Sequence, residues 1–129
     1  MRSVVAIIVG FITFSVALYA MQSASTLVLR QLHPDLGATT TIVNYSTNTR
    51  VFWLIWEAVG LSAAGYVTAR LAASSHVAHA TVMGAIQAVV TLWAMLTVPS
   101  GDPMWFWIIG VALMIPAAWF GGRMARGGV

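Results

Sequence analysis

Cysteine and lysine are both absent from this 129-residue chain, and acidic residues number only three. Without cysteine there are no disulfides, no thiolate metal sites and no thiol nucleophiles. Without lysine, the net charge of +3 rests on six arginines: Arg2, Arg30, Arg50, Arg70, Arg123 and Arg126. They are too scattered to form the basic face that binds nucleic acid, so no such partner is expected. Charged residues make up 7% of the chain, against roughly 25% in ordinary soluble domains. So little polar surface cannot cover a core in water. With 60% hydrophobic residues, the chain suits lipid as its partner instead.

A span needs about 20 mostly apolar residues to cross roughly 30 Å of hydrocarbon. Four stretches qualify, at about 4–26, 51–72, 77–98 and 104–124. The expected fold is therefore all-α, a single four-helix transmembrane bundle running up-down-up-down. Ser23, Ala24 and Ser25 offer small residues where a signal peptidase cuts. The apolar run before them exceeds the roughly 7–15 residues of a signal core, so it is read as a span.

Local chemistry marks the boundaries. Pro34 disfavours a helical His33 and should stop the first helix. Ser74 and Ser75 offer hydroxyls to cap the third, which Pro99 ends. Asp102-Pro103 supplies a capping carboxylate and a proline for the first turn of the fourth. An outer polar loop is expected at about 30–49, with a short surface helix or strand near Thr41–Tyr45. Within it, Asn44-Tyr45-Ser46 matches a glycosylation sequon, a three-residue pattern that commonly arises by chance.

Arginine bias sets orientation. With both termini cytoplasmic, Arg2, Arg70, Arg123 and Arg126 lie inside, and Arg30 and Arg50 outside with Asp35 and Asp102. Trp53, Trp56, Trp93, Trp105 and Trp107 then crowd the outer interface.

Apolar burial does not pair helices within lipid, so small residues that permit close approach carry the packing signal. Ala80, Gly84 and Ala88 form a ladder on the third helix. Gly60, Ala64 and Thr68 continue the stripe of Glu57 on the second, and Ala118 and Gly122 repeat the pattern on the fourth. Pro116 should kink that last helix and free the Ala112 carbonyl.

Glu57 is the one ionisable residue well inside a span, about 9 Å below the outer boundary. A charge there costs a few kcal/mol unless it is neutralised or paired. The short link between the second and third helices places Thr91 opposite Glu57, and Gln87 one turn deeper. A polar cluster of Glu57, Gln87 and Thr91, reached by Tyr19, is one expectation; it serves as interhelical glue or as a proton, ion or ligand site. Pairing of Glu57 with Arg50 on the same face is the other. His76 and His79 also share a face, but no cysteine or acid accompanies them, so no metal is expected. Nor is any cofactor motif present.

The segment Ala64–Ala72 aligns without gaps on Ala117–Ala125, as a doubled helical hairpin would; chance similarity of apolar helices is the alternative. Gly65-Tyr66-Val67-Thr68-Ala69-Arg70-Leu71-Ala72 is followed by His79, Gly84, Trp105, Pro116-Ala117-Ala118 and Gly121-Gly122-Arg123. In that order these resemble a broad set of small, uncharacterised bacterial membrane proteins with four spans. The resemblance covers about the last three-fifths of the chain. It implies a four-helix fold in the bacterial cytoplasmic membrane, and it brings no activity, cofactor or site residues. The leading expectation is a non-enzymatic structural or accessory component, as a homo-oligomer or in a larger membrane complex. The alternative is a small oligomeric channel or transporter using Glu57.

Overall fold

A computed structural model describes residues 2–32 and 47–127. It is all-helical, with α1 Arg2–Leu32, α2 Thr47–Leu71, α3 His76–Thr97 and α4 Met104–Gly127. Each helix is long and apolar enough to cross a membrane. No more than 33% of the most apolar window of any of them is buried, so most apolar side chains face outward. Val4, Ile8 and Ile12 of α1 and Val89, Trp93 and Leu96 of α3 are examples. That distribution suits hydrocarbon and would be costly in water.

The helices encroach on the expected polar loop from both sides, α1 running to Leu32 and α2 beginning at Thr47. Helical hydrogen bonding needs no apolar side chains, so it continues past the bilayer-length run that hydropathy detects. His33, Pro34, Asp35, the Thr41–Tyr45 segment and the sequon lie outside the described residues. Helix α4 is continuous through Pro116.

Two capping expectations are corrected. Ser75 precedes α3 in the left-handed region (φ 49°, ψ 44°), and its hydroxyl makes no capping bond. An N-cap side chain reaches the first-turn amides from an extended backbone, which Ser75 does not adopt. At the start of α4, Asp102 gives its carboxylate to Arg50, and the Pro103 carbonyl accepts from Phe106 N–H at 3.0 Å. Pro103 thus stands just ahead of the first helical residue.

Each helix contributes one large buried side chain to the centre: Phe14, Leu61, Met83 and Met114. Ala64, Ala88, Ala117 and Ala118 fill the space around them. Helix α2 packs most extensively on α4, then α3 on α4 and α1 on α2. Helices α2 and α3 also touch, whereas α1 and α4 do not meet among the described residues. The cross-section is therefore a rhombus, with α2 and α3 across its short diagonal.

Candidate functional site: the α2–α4 seam and Glu57

Helices α2 and α4 approach so closely that backbone meets backbone. A Cβ on Gly65 would overlap the Ala118 carbonyl oxygen, and one on Gly121 would overlap that of Ser62. Only glycine permits this approach. The Ser62 hydroxyl donates to the Ala58 carbonyl at 2.8 Å and lies 3.2 Å from the Ala117 carbonyl, bridging the helices. Three of the facing pairs share one spacing along the chain: 57 with 110, 65 with 118, and 69 with 122. Two of these pairs, 65 with 118 and 69 with 122, are matching positions in the gapless alignment of residues 64–72 on 117–125.

The other contacts follow the same chemistry. Gly84 of α3 is tight against Ala118 and the Met114 carbonyl, where a Cβ would stand 2.7 and 2.8 Å away. Gly122 is tight against Ala80, at 2.6 Å. Gly10 of α1 abuts Thr68, whose buried hydroxyl donates to the Ala64 carbonyl at 2.9 Å. Gly60, Ala64, Ala80, Gly84, Ala88, Ala118 and Gly122 are all buried. Their tightness differs, however. A Cβ at Gly60 would meet Phe14 at an ordinary 3.5 Å. The most crowded glycines, Gly10, Gly65 and Gly121, were not among the small residues expected to pack. The signal that could have found two of them is the gapless alignment, which carries both Gly65 and Gly121.

Glu57 is half-buried on α2, and its carboxylate faces α4. A Cβ on Gly110 would stand 3.3 Å from Glu57 Oε2, so the absence of a side chain there makes room for the carboxylate. The inferred opposition of Glu57 to Thr91 rested on α3 as the nearest neighbour. The main partner of α2 is instead α4, two helices along. Gln87 is buried, at 8% exposure, and its Oε1 has no hydrogen-bond partner among the described residues. Thr91 is half-buried, and Tyr19, at 73% exposure, lies on the outside of the bundle. Among the described residues no hydrogen bond joins Glu57, Gln87, Thr91 or Tyr19.

Arg50 does not pair with Glu57. Its Nε donates to Asp102 Oδ1 at 3.1 Å, tying the start of α2 to the α3–α4 link. Ser100 on that link accepts from Trp107 Nε1 at 3.2 Å and from the Asp102 N–H at 3.3 Å. A carboxylate already in the link lies nearer the water than one inside the span, so it attracts the guanidinium at less desolvation cost.

At the opposite end, His76 Nδ1 donates to the Ala69 carbonyl at 2.7 Å, satisfying one of the last carbonyls of α2. His79 Nδ1 contacts the Ser75 carbonyl at 3.1 Å. Both imidazoles are thus engaged with backbone, and no cluster of three metal-ligating side chains occurs among the described residues.

Comparison with known proteins leaves the seam and Glu57 to be interpreted from their own chemistry, since no family model, curated protein or solved structure matches the chain.

Proposed function

We propose that this protein is a non-enzymatic structural or accessory component of a bacterial cytoplasmic membrane, acting as a homo-oligomer or within a larger membrane complex. The observation that carries this reading is the α2–α4 seam, where Gly65 and Gly121 bring two backbones into contact. Such a seam makes a rigid body and leaves little interior for a substrate. Catalysis calls for several titratable groups within reach of one another, and Glu57 has no acid or histidine bonded to it among the described residues.

The bundle runs up-down-up-down with both termini in the cytoplasm. Supporting the order, Gly84 lies against Ala118 and Gly122 against Ala80, so numbers rise on α3 as they fall on α4. Supporting the orientation, Arg50 is offset by Asp102 at one end. Arg70, Arg123 and Arg126 meet no carboxylate among the described residues at the other. That asymmetry is the one that positive charge on the cytoplasmic side produces.

One observation favours a second reading, a small oligomeric channel or transporter. Glu57 is an ionisable group within a span, facing Gly110 without a bonded partner among the described residues. Reconstitution into proteoliposomes separates the two. No proton or cation flux, with Glu57→Gln folding as stably as the parent, is expected of a structural component. Flux that vanishes in Glu57→Gln would replace it with transport.

A further inference from the structure

The end of the bundle where α2 finishes and α3 begins carries a cluster of basic side chains. Arg70 closes α2, His76 opens α3, and Arg123 and Arg126 occupy the last turns of α4. Three adjoining clefts share the Arg126 side chain as a wall. A cleft of about 420 Å³ lies between Arg126, Arg70 and His76. A second of about 280 Å³ separates Arg126 from the first turn of α3. The third, of about 450 Å³, lies between Arg126, Arg123 and Trp119.

Two of these groups are positioned, and none of the three arginines meets a carboxylate among the described residues. The Arg123 guanidinium lies over the Trp119 ring, 5.2 Å from its centroid, which restrains it. His76 is fixed by its bond to Ala69. The single ion pair among the described residues, Arg50–Asp102, belongs to the other end. Three guanidinium groups around one set of clefts repel each other until an anion is shared among them. The chemistry that fits is a phosphate, which accepts from planar guanidinium donors.

We propose that this basic end is a binding site for an anionic phospholipid, with its phosphate held at Arg126 between Arg70 and Arg123. A lipid is favoured over dissolved phosphate because Trp119, which lines one cleft, and Leu71 and Met124, next in sequence to Arg70 and Arg123, are large, apolar and exposed. Acyl chains cover such side chains; a free anion leaves them bare. The position also suits a headgroup, since the clefts lie at the ends of membrane-length helices.

Native mass spectrometry of the detergent-solubilised full chain, titrated with phosphatidylglycerol, phosphatidylcholine or inorganic phosphate, tests the site. Phosphatidylglycerol should be retained well above phosphatidylcholine. Arg126→Gln should lower that retention about fivefold, and Arg126→Gln with Arg123→Gln about 25-fold, from the usual contribution of one arginine near an anionic surface. Arg2→Gln removes the same charge from the exposed start of α1, at the same end but outside the clefts, and should cost clearly less than Arg126→Gln. Unchanged melting of each variant in phosphatidylcholine micelles shows that it is folded. Equal retention of the two lipids would overturn the site, as would an equal loss in Arg2→Gln. Displacement of phosphatidylglycerol by millimolar inorganic phosphate would reassign it to a soluble anion.

Discussion

Gly65 of α2 lies directly on the main chain of Ala118 of α4, with no room for a methyl group between them. A Cβ added there would stand 2.9 Å from the Ala118 Cα, a backbone atom that cannot rotate away. Gly65→Ala should therefore destabilise the bundle by about 1–3 kcal/mol, the usual cost of overpacking. Gly121→Ala should behave alike, since it meets the Ser62 backbone. Gly60→Ala is the contrast. With Phe14 at 3.5 Å it should be neutral, or stabilising by up to about 1 kcal/mol through helix propensity. Unfolding titrations in mixed detergent micelles measure all three, and similar losses at the three positions would contradict the assignment.

Ser75 holds a left-handed backbone (φ 49°) without using its hydroxyl to cap α3. Ser75→Gly should raise stability by about 1 kcal/mol, because glycine adopts that conformation without the Cβ clash. Ser75→Ala retains the strained backbone and loses no cap, so its melting temperature should match the parent. A marked loss in Ser75→Ala would mean that the hydroxyl does cap the helix.

The Arg50–Asp102 pair is largely but not fully buried, its side chains being 14% and 23% exposed. A double-mutant cycle with Arg50→Gln and Asp102→Asn should give a coupling energy of about 1 kcal/mol, weakened by added salt. The cycle of Arg50→Gln with Glu57→Gln should give none. Coupling between Arg50 and Glu57 would restore the pairing that the structure replaces.

Gln87 buries an oxygen that meets no donor among the described residues. Gln87→Met keeps the length of the side chain and removes the unsatisfied group, so stability should hold or rise by about 1 kcal/mol. A clear loss in the same detergent unfolding assay would show that Oε1 is satisfied in the assembled protein by a donor from a second copy.

How much of this was legible in the sequence follows from what each signal measures. Bilayer-length apolar runs, broken at Pro99-Ser100-Gly101-Asp102-Pro103, are enough to locate four helices, because length and local chemistry settle where a helix exists. Neighbour relations are another matter. The short α2–α3 link suggested Thr91 as the residue facing Glu57, yet α2 packs more extensively on α4 than on any other helix. Periodicity shows which residues share a stripe and not which helix the stripe meets. For that reason Glu57, Gln87 and Thr91 were grouped by depth, while the structure sets the Glu57 carboxylate over Gly110. Ser75 was hidden for a related reason: its residue type suits a cap, and only the backbone angle reveals that it is not one.

The contact of main chain with main chain at Gly65 and Gly121 bears on permeation. Two rods pressed together without intervening side chains enclose no lumen, so hydrated ions have no aperture along that line. A solute that crosses with the help of this protein by passing between neighbouring copies would avoid that seam. The conducting unit would then be an assembly, and the single chain one of its staves.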